Sequence, residues 1–184
     1  MTGAEKTEHY EQVGERTIPE VVHAAARRFG DLEAAVGLSE RPTFAEIAVQ
    51  VMNRARALLA SEVAPGDRVA IWAPNGVEWI RLSFAVYAAG AVLVPINTRF
   101  KSQEAAHVLR TAGVRLLFTV TDFLDTDYVA LLNNMSGLAL REIVVMSGSV
   151  PDGATDWATF LARATPVPEA SVTAREAALG PEDP

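Results

Sequence analysis

The chain has 184 residues, 49% of them hydrophobic, with 16 Lys+Arg against 23 Asp+Glu, and it contains no cysteine. That length fits one domain, or one large subdomain, able to bury roughly 70% of its unfolded surface without a disulfide or metal staple. The missing cysteines exclude thiolate zinc sites, iron–sulfur clusters and cysteine nucleophiles, and the net charge of −7 lacks the basic footprint that nucleic acid demands.

No uninterrupted apolar run reaches the ~18 residues of a membrane-spanning helix, and residues 1–16 are too polar and acidic for a targeting peptide. The expected setting is cytoplasmic, with peripheral membrane association left open. A polar tail over 1–16, an α/β unit over 17–165 and a linker over 166–184 are the expected divisions.

Thr17, Pro19 and Glu20 form a capping-box pattern, and Ile18, Val21, Val22, Ala25 and Phe29 recur at helical spacing up to Gly30. Residues 33–38 and 41–44 read as a short hairpin around Ser39-Glu40. Thr43 and Glu46 form a second capping box ahead of a helix carrying Phe44, Ile47, Val51, Ala55 and Leu58 on one face. Pro65-Gly66-Asp67 turns the chain into a strand over 68–72. Asn75 with Glu78 is expected to cap a helix ending near Gly90, followed by a strand over 91–96. A helix over 102–112 and a strand over 114–120 come next. Residues 122–135 are expected to be helical, with Phe123, Leu124, Tyr128, Leu131 and Leu132 as the apolar set. A strand over 142–146, a turn over 148–153, a short helix over 156–164 and a loose tail over 166–184 complete the chain.

Four short, continuously apolar strands alternating with helices indicate parallel βαβ units, hence an α/β fold with an open, mostly parallel sheet and helices on both faces. In such sheets ligands lie beyond the carboxyl ends of the strands. Here those ends are the loops 72–75, 97–99, 121–123 and 147–149. None carries a recognised catalytic motif: there is no G-x-G-x-x-G, Walker A loop, G-x-S-x-G or H-E-x-x-H. No catalytic, cofactor-binding or metal-ligating residue is assigned from spacing alone. The histidines His9, His23 and His107 lie far apart in sequence, and His23 and His107, on amphipathic helices, read as structural. Asn97 is expected to satisfy its own loop, Arg99 to make a surface ion pair, and Thr121 or Asp122 to cap the following helix. Trp72 and Trp79 read as core aromatics.

The run YAAGAVLVPINTR over 87–99 resembles the AGA-x-x-VP-[LI]-N-x-R signature of the adenylate-forming family: acyl-CoA synthetases, luciferases and peptide-synthetase adenylation domains. Other segments are similar to the family in order and spacing: TIPE at 17–20 through FGD at 29–31, PTFAE at 42–46, and PGDRVAI at 65–71 followed by Pro74-Asn75. LFTVTDFL over 117–124, with Asp156-Trp157 and Phe160-Leu161, looks most like bacterial fatty-acid–CoA ligases and their relatives acting on cyclic or steroid-derived acids. The chain departs from the pattern at Lys101, where many relatives have a Thr or Ser cap, a role Ser102 is expected to take.

The resemblance implies the N-terminal part of the acyl-CoA synthetase fold and a parent enzyme that activates a carboxylic acid as an acyl-adenylate and forms an acyl-CoA thioester, using ATP, Mg and CoA. Relatives continue from a stretch like GPEDP at 180–184 into the ATP phosphate loop, so the resemblance implies an N-terminal piece that is itself inactive; apolar surface that the rest of the sheet would cover is then expected to favour self-association, for instance as a homodimer. The resemblance also suggests Thr121 and Phe123 as CoA contacts. The alternative is a stand-alone, non-catalytic α/β binding or assembly module. A dinucleotide-type redox domain is disfavoured, because Ala73-Pro74-Asn75 offers no cradle of free amides after the first strand.

Overall fold

The computed structural model describes residues 16–183. Apart from Arg16, the polar tail expected over 1–16 lies outside the described residues. Helices α1 (Ile18–Phe29) and α2 (Phe44–Ala60) precede β1 (Arg68–Trp72), α3 (Val77–Ala88), β2 (Val92–Pro95), α4 (Ser102–Ala112) and β3 (Leu116–Val120). A single 3-10 turn (Ala130–Leu132), β4 (Glu142–Ser147), β5 (Thr155–Asp156), α5 (Trp157–Ala162) and α6 (Glu169–Glu176) follow.

The strands form one sheet in the order β2-β1-β3-β4-β5, with every pairing parallel. This confirms the open α/β architecture and adds a fifth, two-residue strand to the four expected. Because β2 lies on one side of β1 and β3 on the other, right-handed crossovers carry α3 and α4 to opposite faces. The ladder sets the two cores. Ile71 pairs with Phe118 and Trp72 with Thr119, so these pairs point to alternate faces. Phe118 meets Phe160 edge-on at 4.9 Å and Trp157 at 6.0 Å, beneath α5. On the other face the fully buried Trp72 lies 4.5 Å from the ring of Tyr128.

Both expected capping boxes are present. Thr17 and Thr43 accept from the amides of Glu20 and Glu46, whose carboxylates accept from the two threonine amides in return. Several expectations are corrected. The hairpin over 33–38 and 41–44 contracts to one antiparallel bridge, Glu33 with Thr43; the Gly37 amide still donates to Glu40 O at 2.8 Å, while the Glu40 side chain reaches out to Arg81 on α3. Gly76, not Asn75, is the N-cap of α3, and it has no side chain with which to cap. Lys101, not Ser102, holds the cap position of α4, where Glu104 accepts from its amide at 2.8 Å.

Residues 122–135 keep only the 3-10 turn. Leu124 and Asp125 take left-handed backbone angles, φ 51° and 53°, incompatible with a right-handed helix there. The apolar periodicity survives, but Phe123, Tyr128 and Leu132 serve packing against the sheet end.

The expected loose tail instead holds α6, tied down by arginines reading main-chain oxygens. Arg56 donates to Val167 O at 2.6 Å, and Arg175 donates to Ala89 O at the end of α3 at 2.9 Å. His23 of α1 meets Glu176 of α6 at 3.0 Å. Arg163, just past α5, makes a bidentate pair with Glu142 on β4 at 2.8 and 2.9 Å and donates to Ser61 Oγ at 2.8 Å.

A second charged network crosses the helical layer. Arg54 pairs through two nitrogens with Glu78 and lies over the Trp157 ring. Glu78 also reaches Arg81, which pairs with Glu40 at 2.6 Å. Arg54 and Arg81 are both buried, so their carboxylates neutralise charge that would otherwise be costly to desolvate. Glu78→Ala strips Arg54 of its carboxylate and is expected to destabilise the chain by about 3 kcal/mol in denaturant titration, whereas the double replacement Arg54→Leu/Glu78→Leu recovers most of that loss.

Burial pushes the Glu142 carboxyl up, but the Arg163 guanidinium and the Thr155 hydroxyl outweigh it and hold the group below its ordinary 4.5. A depressed folded-state value means stability that is present above the unfolded value and lost as pH falls through the folded one. Acid unfolding followed by circular dichroism is therefore expected to show a steeper decline below about pH 4.5 in wild type than in Glu142→Gln.

Candidate functional site

The turn at which β1 gives way to α3 and the loops after β2 and β3 emerge at the same end of the sheet, where strand order reverses direction. That is the crevice position of doubly wound folds, and an open cleft of about 470 Å³ lies there. Ala73, Pro74 and Asn75 form one wall, Pro95 to Thr98 a second, and Trp79 and Phe123 close it.

The β2 loop is held rigidly by its neighbours. Trp72 Nε1 donates to Asn97 O at 3.1 Å, and the Tyr128 hydroxyl donates to Thr98 O at 3.0 Å. Burial raises the Tyr128 hydroxyl above its ordinary value, with the Thr98 hydrogen bond opposing, so Tyr128 stays protonated as a donor. Asn97 Oδ1 accepts from the Arg99 amide at 2.9 Å, satisfying its own loop as expected. The expected surface ion pair of Arg99 is absent: its guanidinium has no ion-pair partner among the described residues. A lone cation thus stands exposed two residues beyond Asn97 in the cleft wall.

Thr121 and Asp122 do not cap a helix, because none follows. They stitch the β3 loop to the β4 loop. Thr121 Oγ1 donates to Ser149 O at 2.7 Å, and Ser147 Oγ donates to Asp122 Oδ2 at 2.6 Å. Phe123 is half-buried and lines the cleft, whereas the Thr121 hydroxyl turns toward the β4 loop. Trp79, expected in the core, is a half-buried cleft wall. His107 is exposed, and His23 belongs to the α1–α6 contact. Asn75 falls in the 72–75 loop that the strand ends single out, whereas Trp79, in the first turn of α3, and Tyr128 are not read as site-forming residues from the sequence.

Among the described residues no group of three or more His, Asp or Glu side chains is placed to hold a metal ion. The cleft can contribute aromatic surface and side-chain amides, and the exposed Arg99 guanidinium follows directly after its last lining residue of the β2 loop, Thr98. That equipment binds and orients, and no nucleophile–base pair is assembled in it.

The stitched loops leave no room at Gly148. It sits at φ 92°, and a Cβ there would approach Thr121 Oγ1 to 2.3 Å. Gly148→Ala is expected to cost about 1–3 kcal/mol in a denaturant titration and to loosen Thr121 and Asp122.

The chain is 38% identical over 168 residues to 3-[(3aS,4S,7aS)-7a-methyl-1,5-dioxo-octahydro-1H-inden-4-yl]propanoyl:CoA ligase of Mycobacterium tuberculosis, across 91% of this chain and 32% of that protein. It is 37% identical over 172 residues to the Rhodococcus jostii ligase of the same name, across 91% of this chain and 33% of the relative. The chain therefore spans about a third of the length of the curated relatives it matches. Its fold superposes on the N-terminal domain of FACL13 from Mycobacterium tuberculosis with a TM-score of 0.61 at 24% identity, over 92% of this chain and 38% of that one. The anthranilate CoA ligase AuaEII, solved with anthranoyl-AMP, gives a TM-score of 0.71 at 22% identity over 84% of this chain and 29% of that one. The AMP-binding enzyme family matches residues 22–184. With nearly the whole described chain inside that match, and the sheet and loop order in agreement, this chain belongs to the AMP-binding enzyme family.

Proposed function

We propose that the whole protein is an ATP-dependent carboxylic acid–CoA ligase, activating its acid as an acyl-adenylate and passing the acyl group to the CoA thiol, and that these residues form its N-terminal α/β part. The observation that supports this most is 38% identity, sustained over 91% of the chain, to a ligase whose name states that activity. Residues 166–184 would then link this unit to the rest of the enzyme. The described residues do not fit Mg: no carboxylate cluster is present to hold it, so no step is routed through it here.

The 470 Å³ cleft fits a wall of the CoA channel. Phe123 and Trp79 offer flat apolar surface to the cofactor, and the unpaired Arg99 offers a guanidinium for one of its phosphates. CoA, when bound, supplies the thiol that takes the acyl group; these side chains bind and orient it. Thr121 belongs to this reading as the residue that fixes the Phe123 loop through Ser149 O, rather than as a direct contact. For the acid, the two bicyclic-propanoate ligases match 91% of the chain, whereas the mouse medium-chain acyl-CoA ligase matches 65% at 34% identity. A ring-bearing acid is favoured over a straight chain, and a place in fatty or cyclic acid metabolism follows. The setting is cytoplasmic.

In the full-length enzyme, AMP release is expected to require acid and CoA together and to be faster with a bicyclic propanoate than with octanoate. Phe123→Ala and Arg99→Gln are each expected to raise KM for CoA about tenfold while leaving KM for the acid unchanged. A matched rise in KM for both substrates, or no rise, would remove the cleft from the CoA channel.

A further inference from the structure

A second cavity, of about 380 Å³, lies at the opposite end of the sheet, where α3 turns into β2. Four separate segments build it: the start of α1, the Pro65-Gly66 turn, the α3–β2 corner and the stretch after α6. Each is pinned. Thr17 is locked by its capping box, the Gly66 amide donates to Gly90 O at 2.8 Å, and Arg175 Nη1 donates to Ala89 O at 2.9 Å. Gly90, at φ 69°, lets the α6 side approach: a Cβ there would come within 3.3 Å of Arg175 Cδ.

The lining divides chemically. Ile18, Tyr87, Val92 and Leu179 supply an apolar body. Ile18, a large aliphatic side chain in a helix's first turn, is 41% exposed among the described residues. Arg16 and Arg175 supply cations. Arg16 makes no hydrogen bond or ion pair among the described residues, and Arg175 spends only Nη1 on main-chain oxygens. The Asp183 carboxylate accepts from the Gly180 amide at 2.7 Å in its own turn and makes no ion pair with either arginine, so the lining sets two cations against one anion. In a chain of net charge −7, two guanidiniums around an apolar cavity select an anion with a hydrocarbon body.

We propose that this cavity is a binding site for a small amphipathic carboxylate, held by Arg16 and Arg175 at its head and by Ile18, Tyr87, Val92 and Leu179 along its body. It is separate from the carboxyl-end cleft and does not depend on the ligase reading. The volume admits on the order of a dozen non-hydrogen atoms, at roughly 30 Å³ each, the size of decanoate.

Isothermal titration of the 184-residue chain with sodium decanoate, kept below its micelle concentration, is expected to show saturable one-to-one binding, absent with decylammonium. Arg16→Gln, which breaks no contact within the described residues, is expected to weaken it about tenfold. Ala178→Trp, an exposed lining position, fills the space and is expected to abolish it, with the thermal midpoint of both variants unchanged. No saturable heat from wild type, equal binding of decylammonium, or wild-type affinity in Arg16→Gln would overturn the site. Binding to anionic phospholipid vesicles without binding of free decanoate would overturn it too, assigning these arginines to a lipid surface.

Discussion

Two central parallel strands, β1 and β3, cannot stand in water on either face, and the rest of the chain is arranged around that constraint. Ile71, Trp72, Phe118 and Thr119 are all fully buried. One face is closed by Phe160 and Trp157, the other by Tyr128 and the turn around it. Because parallel strands send every connection back across the sheet, the loops with room for polar side chains collect at one end. The cleft is thus a by-product of covering the sheet, and its rigidity derives from core residues. Trp72 is at once the largest fully buried side chain and the donor that fixes Asn97 O.

Arginine is the polar counterpart of that apolar closure. The chain has fourteen arginines against two lysines, and the planar fork suits their use. Arg54 and Arg81 bridge helices through buried carboxylates. Arg56, Arg68, Arg110 and Arg175 donate to main-chain oxygens, several at the ends of helices, where carbonyls lack partners. Arg16 and Arg99, like Arg27 and Arg141, spend their guanidiniums on no hydrogen bond or ion pair within the described residues. Arg16 and Arg99 lie at opposite ends of the sheet, each beside a cavity.

The two ends differ in what holds them. At the carboxyl end the walls are loops fixed by hydrogen bonds from buried aromatics, and the open space is broad and polar. At the amino end the walls are helix termini and glycine turns drawn together by α6, and the space is smaller and amphipathic. A unit so built supplies surfaces and orientation to chemistry without an assembled set of reacting groups.

The sequence by itself determined the α/β class, the parallel strands, the capping boxes at Thr17 and Thr43 and the family. Each rests on neighbours in the chain: hydroxyl and carboxylate three residues apart, apolar runs of strand length, an ordered set of short motifs. The loops around the cleft were also legible, since strand ends can be counted. Only the tertiary structure decided the rest. Whether 122–135 coils into a helix depended on docking Phe123, Tyr128 and Leu132 onto the sheet end, which outweighed a helical period. Whether 166–183 stayed loose depended on Arg56, which reaches Val167 O, and Arg175, which reaches Ala89 O, partners 111 and 86 residues away in the chain. The Glu40 side chain reaches from its turn to Arg81 forty-one residues on. Long side chains pairing across the fold leave no local signature, because charge at one position says nothing of which distant partner burial will bring to it.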